Sequence, residues 1–275
     1  MYHGERFNAY SHLAGFLLAV AALVLMLVKA VESADGYRIA GALTYGICLL
    51  LLYLGSTLYH SIPQPKAKAI LQKVDHCMIY LLIAGSYTPF TLITLQGGWG
   101  WSLFGVSWGL ALLGIVQELT IGRKSEKRLL SMVIYVLMGW LIVVAVWPLI
   151  KSLSAGGLFW LVLGGVLYSA GIYWFINDTK IRHGHGIWHL FVLAGSLTQF
   201  ISIYCKPPPT FALCCSNFCT LCSAKVSTAF ALYRMMRNKK SDATVAFYFT
   251  NYIRPILRWF YQFYFFRPYK PIQVE

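Results

Sequence analysis

Five side chains carry the chemistry this chain can offer. His185 and His189 stand four residues apart, Ser56 and His60 have the same spacing, and Asp75 lies between the two pairs in sequence. Residues four apart share a helix face. Two imidazoles one turn apart can converge on one metal ion, as in H-E-x-x-H zinc enzymes. Neutral imidazole suits zinc, which tolerates an open fourth position. Plainer roles exist for each residue. A histidine at a helix end meets headgroups and water, a serine in a membrane helix bonds its own backbone, and an aspartate caps the helix that follows it. Spacing alone leaves these roles open.

The elements that must position these groups are apolar. The 275-residue chain is 58% hydrophobic and 12% charged, against about 25% charged in an ordinary soluble domain. This excludes disorder, a coiled coil and a typical cytosolic enzyme. A bilayer-crossing helix needs about 20 apolar residues. Seven blocks approach that length: Tyr10–Val31, Ile39–Tyr59, His76–Leu95, Trp101–Thr120, Leu130–Ile150, Leu158–Ile176 and His185–Tyr204. The first is too long for a signal-peptide core and lacks a clear cleavage site, so it is read as retained. The expected fold is all-α, a polytopic bundle of seven transmembrane helices.

The net charge of +14 would suggest nucleic acid in a soluble protein. Here the basic residues lie between or beyond the apolar blocks, so they read as topology signals and contacts to anionic lipid, with no nucleic-acid partner expected. Arg6, Lys66, Lys68, Lys73, Arg123, Lys124, Lys127, Arg128, Lys180 and Arg182 fall on the N-terminal side, and Lys29, Arg38 and Lys151 on the other. The positive-inside rule then places the N-terminus in the cytoplasm. On this topology Ser56, His60, Asp75, His185 and His189 all fall in one shallow layer at the cytoplasmic end, within about two helical turns of depth. Chance would scatter five such residues over both ends.

Other polar residues read more plainly. Glu5 and Asn8 are expected to cap the first helix, and His12, His76 and His183 to lie at the interface. Glu118 and Asp178 would balance nearby Lys and Arg. Trp99, Trp101 and Trp108 suit an aromatic belt, and Cys48 and Cys77 small buried hydrophobes. After residues 1–204 the character changes. Residues 205–275 hold Pro207-Pro208-Pro209, five cysteines and an aromatic-basic end. Thr210–Tyr233 as an eighth span is weakened by Asn217 and Lys225, and Cys219-x-x-Cys222 lacks the second ligand pair that a zinc site needs. The tail reads as an extension outside the core fold or as translation in a shifted frame after Tyr204; the gene sequence across codon 205 separates the two.

Five stretches together resemble the bacterial hemolysin III family, the prokaryotic branch of the progestin and adiponectin receptor superfamily. They are Glu5-x-x-Asn8-x-x-x-His12, Ser56-Thr57-Leu58-Tyr59-His60-Ser61, Leu71-x-x-x-Asp75-His76, Leu82–Phe90 and His185-Gly186-Ile187-Trp188-His189-Leu190-Phe191-Val192. The resemblance covers about residues 5–204. It implies an intramembrane Zn²⁺ held by His60, His185 and His189, with Asp75 beside the water on the metal and Ser56 next to it. It also implies a bacterial inner (plasma) membrane protein and, through similarity to membrane ceramidases, hydrolysis of lipid amides or esters, so that membrane lipids are the expected partners and substrates. A cytolysin or pore, and a receptor or regulator of membrane state that uses zinc structurally, are the competing expectations. The chain departs from the family at Gln199, where a histidine is usual, and in the tail, which nothing in the family matches.

Overall fold

Hydrocarbon offers a backbone no hydrogen-bond partners, so each segment that crosses it must satisfy its own N–H and C=O groups. The computed structural model describes residues 3–120 and 128–205. It contains α1 (Arg6–Glu32), α2 (Gly36–Ser61), α3 (Pro65–Pro89), α4 (Gly97–Thr120), α5 (Leu129–Gly139), α6 (Val146–Ser152), α7 (Ala155–Ile176) and α8 (Gly184–Tyr204). A π turn, Phe90–Leu95, prolongs α3, and a 3-10 segment, Leu141–Ala145, joins α5 to α6. These make seven helical spans long and apolar enough to cross a membrane, and no strand occurs among the described residues. The chain is an all-α, multi-pass integral membrane protein. The expectations for the tail after Cys205 lie outside the described residues.

Each expected apolar block falls inside one of the seven spans, but α3 starts well before His76. Pro65 occupies its first turn, where the missing N–H costs nothing. Lys66, Lys68 and Lys73 keep that extension polar, so hydropathy does not register it. One expected role is thereby corrected: Asp75 lies deep inside α3, whose N-cap is Gln64, and does not cap the helix.

Chain order sets the packing. Helix α1 lies on α2 and α8, α2 on α3, α3 on α4, and α7 on α8. Buried polar groups tie the helices where van der Waals contact alone would leave their register loose. Ser196 of α8 is the main knot. Its carbonyl accepts from Tyr45 Oη at 3.0 Å and its hydroxyl accepts from Tyr53 Oη at 2.7 Å, while Tyr168 Oη lies 2.8 Å away from that hydroxyl. Outward positions such as Leu17, Leu112, Leu113 and Trp147 are exposed and apolar, as a lipid-facing surface requires.

The fifth span, expected as one continuous helix, is broken after Gly139. The break frees backbone groups that would be costly in lipid, and a single side chain from α3 takes up two of them. Tyr87 Oη donates to the Gly139 carbonyl at 3.0 Å and accepts from Ile142 N–H at 2.9 Å. Tyr87→Phe should leave both unpaired and lower the unfolding free energy in lipid-detergent micelles by about 1–3 kcal/mol. Unchanged unfolding would show that the hydroxyl does not hold the break.

Candidate metal centre

The ends of α2 and α8 bring three imidazoles together. His60 comes from the last turn of α2, and His185 and His189 from the first two turns of α8. Their ring centroids are 5.1 Å (His60–His185), 5.0 Å (His60–His189) and 4.9 Å (His185–His189) apart. One nitrogen from each lies within 4.8 Å of the others, a spacing that can hold a metal ion. Gly186 lets α8 begin this close to α1, because a Cβ there would collide with the Phe7 ring.

The second nitrogen of each ring decides how it is turned. His60 Nδ1 lies 2.5 Å from Glu5 Oε2, and His185 Nδ1 lies 3.0 Å from Asp178 Oδ2. His189 Nδ1 lies 3.1 Å from both the Asn8 carbonyl and Ser11 Oγ. Acceptors therefore occupy all three Nδ1 positions, each ring donates its Nδ1–H, and Nε2 is left over. His60 Nε2 is buried with no hydrogen-bond partner. An orphaned buried acceptor costs about 1–3 kcal/mol, and a cation would remove that cost. Three neutral imidazoles with oriented outer partners, leaving a coordination position open, match the ligand chemistry of Zn²⁺.

Glu5 is fixed by more than His60. Asn8 Nδ2 donates to its Oε2 at 3.1 Å and Lys68 Nζ to its Oε1 at 3.2 Å. The hydrogen bond from His60, with those from Asn8 and Lys68, outweighs burial and holds the carboxyl down at about 2. Glu5 makes no side-chain capping bond to α1. The expected capping roles of Glu5 and Asn8 are therefore replaced by an outer shell around the histidines. Their positions together with His12, spaced by three and then four residues, carried the signal, since that spacing places them on one helix face.

One cavity of about 240 Å³ opens beside the cluster, walled by Ser56, Asp75, His185 and His189 at one end. His60 joins this group through the other two rings. Asp75 is half-buried and hydrogen-bonds to no other described residue. Ser56 is 1% exposed, and its Oγ has no partner. The cavity then runs between α3, α5 and α7 along apolar side chains that include Ile79, Ile83, Val143, Leu158 and Val162. Gln199 borders it too, and its Nε2 donates to the Leu161 carbonyl at 3.3 Å. It lies ten residues beyond His189, roughly 15 Å along the helix, so the departure there leaves the histidine cluster intact.

His12 was expected at the interface and is instead buried, at 4% exposure. Its ring stacks on His189, with centroids 3.6 Å apart and planes 9° from parallel, and neither of its nitrogens has a partner. His76 also moves inward: its Nδ1 lies 3.1 Å from Glu118 Oε1, which Arg128 Nη2 approaches at 2.7 Å, while Ser131 donates to Oε2 at 2.8 Å. Glu118 thus balances Arg128 as expected and links α3 to α5 as well. Asp178 orients His185. His183 is exposed at the start of α8, as expected.

A seven-helix membrane bundle with a three-histidine centre at one end is the class that the fold and the site define. The family model described as "Haemolysin-III related" matches residues 1–200, and the chain belongs to that family. It is 42% identical over 203 residues to Hemolysin-3 of Bacillus cereus, covering 74% of this chain and 91% of the relative. It is 45% identical over 204 residues to the Hemolysin-3 homolog of Bacillus subtilis (strain 168), covering 74% and 94%. The human monocyte to macrophage differentiation factor, a more distant relative, is 28% identical over 204 residues, covering 72% and 82%. The matched region contains every residue of the cluster and its outer shell.

Replacing Glu5 tests the outer shell. Glu5→Ala should weaken the binding of an added divalent metal at this cluster about 10- to 100-fold, the usual cost of losing such a partner, as read by competition with a chelator. Wild-type affinity in the variant would show that His60 needs no orienting carboxylate.

Proposed function

We propose that this protein is a metal-dependent hydrolase of lipid amides or esters, with zinc as the metal held by His60, His185 and His189. The observation that carries the reading is a histidine cluster opening directly into an apolar cavity whose wall also presents Asp75 and Ser56. A zinc ion, when bound, supplies Lewis acidity toward a carbonyl and lowers the pKa of water.

The chain's own residues do the rest. The apolar walls take up an acyl chain and leave its polar end at the histidine layer. Asp75, with no hydrogen bond to another described residue, can accept the proton of the attacking water and return it to the departing amine or alcohol. The Ser56 hydroxyl can donate to the carbonyl oxygen as negative charge develops there. Glu5, Asp178 and the Asn8 carbonyl keep the three rings turned, so the site does not have to reorganise during the reaction. We read the N-terminal end of the bundle as cytoplasmic from the basic loops on that side, which puts the reaction beneath the inner headgroups of a bacterial plasma membrane.

The relatives' name points to cytolysis. A conducting path needs polar groups through the whole bilayer depth, and the far half of the cavity presents Leu149, Leu158, Leu161 and Val162 with Gln199 as the polar side chain beside them. That wall favours an acyl chain over an ion.

Metal content and lipid turnover in reconstituted vesicles test the reading. Wild type should hold about one zinc per chain and release fatty acid from a ceramide. His189→Ala should lose the metal. Asp75→Ala should keep the metal and lose turnover by about 100-fold or more, the usual weight of a general acid–base group. Full turnover by metal-loaded Asp75→Ala, or full zinc content in His189→Ala, would contradict the mechanism.

A further inference from the structure

Far from the histidines, the cavity wall carries a polar side chain with half of its hydrogen-bonding capacity unspent. Gln199 is 7% exposed, and its Oε1 is buried without a partner. Its Nε2 donates to the Leu161 carbonyl at 3.3 Å. Turning the amide over would set two oxygens against each other, so that contact fixes which end is which. Gly164 makes room for the amide, since a Cβ there would lie 2.8 Å from Nε2.

None of the described neighbours supplies the missing donor. On α8, Ser196 is committed to Tyr53 and Tyr168, Thr198 donates to the Gly195 carbonyl and Ser202 to the Gly157 carbonyl. Along the cavity wall, Ser86, Tyr87 and Ser169 give their hydroxyls to backbone carbonyls. The buried Phe90, Leu149 and Leu161, packed with Leu95, Leu153 and Leu158, surround the end away from the histidines with apolar side chains. A buried water is held by about two to four polar partners, and among these side chains Oε1 is the group left uncommitted. The donor must therefore arrive with the molecule that fills the cavity.

Charge and distance narrow what that molecule is. The carboxylate that lines the cavity, Asp75, stands at the histidine end. An ammonium beside Gln199 would be buried without a counter-ion, whereas a hydroxyl brings one neutral donor. Gln199 follows His189 by ten residues of α8, roughly 15 Å along the axis. An extended acyl chain with its carbonyl at the histidine layer covers that length in about twelve carbons.

We propose that Gln199 is a specificity residue that accepts a hydrogen bond from a hydroxyl carried about twelve carbons from the carbonyl of a bound acyl chain, so that the cavity selects chains hydroxylated at that distance. The proposal rests on the hydrolase reading for placing an acyl chain in the cavity, and it names the acyl class that the far half prefers.

The test compares lauric acid with ω-hydroxylauric acid, whose hydroxyl sits on the last carbon. Both compete against radiolabelled lauric acid on the full-length protein in nanodiscs, at equal concentrations in the bilayer. Wild type should hold the hydroxy acid about five- to tenfold more tightly, the factor one net hydrogen bond supplies. Caprylic and ω-hydroxycaprylic acids are too short to reach Gln199 and should show no such preference. Gln199→Leu should reverse the order of the lauric pair, because the hydroxyl is then buried with no acceptor. If that variant does not fold, Gln199→Met, which keeps the length and removes the amide, decides by the same reversal. Equal binding of the lauric pair by wild type, the same preference in the caprylic pair, or a preference that survives in the folded variants would overturn the assignment and leave the hydrolase reading standing. Failure of wild type to bind either lauric acid would overturn the acyl cavity of that reading as well.

Discussion

An imidazole ring has two nitrogens, and this fold has committed one of them on each of three histidines. Glu5 takes His60, Asp178 takes His185, and the Asn8 carbonyl with Ser11 takes His189. Those acceptors come from the start of α1 and from the turn before α8, while the rings come from α2 and α8. The centre therefore exists only when α1, α2 and α8 are packed together. Gly186 and the Ser196 knot show what that packing demands: a position with no room for a side chain, and two tyrosines of α2 anchored on α8. A cation held here would couple metal affinity to helix assembly, because it would satisfy the buried His60 Nε2 that no other group meets.

The rest of the bundle shapes what can reach that centre. Irregular backbone is tolerated in a membrane only where protein satisfies it. Tyr87 does this at the break between α5 and α6, so the fifth span can bend without leaving groups exposed to lipid. Helix α7 leans on α8 while α5 leans on α3 and α4, and the cavity occupies the space between these two groups. A mainly apolar slot with the histidine layer at one end suits a molecule that arrives from the bilayer rather than from water.

Much of this architecture can be read in the amino-acid sequence, for reasons that also mark where such reading stops. The seven spans are visible because a transmembrane helix must be apolar along its length. Ser56, His60, Asp75, His185 and His189 stand out because ionisable and polar groups are rare at that depth, and the basic loops placed all five at one end. The early start of α3 is hidden because Lys66, Lys68 and Lys73 look like a loop to a hydropathy window. The break at Gly139 is hidden because its compensation comes from Tyr87, far away in sequence. The outer shell is hidden for a related cause. Glu5, Asn8 and Asp178 look like helix-end residues, and only the folded chain shows that their acceptors face imidazoles. His12 has the same composition signature as an interfacial histidine, and its stacking on His189 is a purely tertiary fact.

The most direct test of the account is an anomalous-scattering map collected at the zinc edge from crystals of the purified protein. It should show one strong peak about 2.0–2.1 Å from the Nε2 atoms of His60, His185 and His189. A map with no peak among those rings, or with the peak held through Nδ1 while Glu5 and Asp178 point elsewhere, would contradict it.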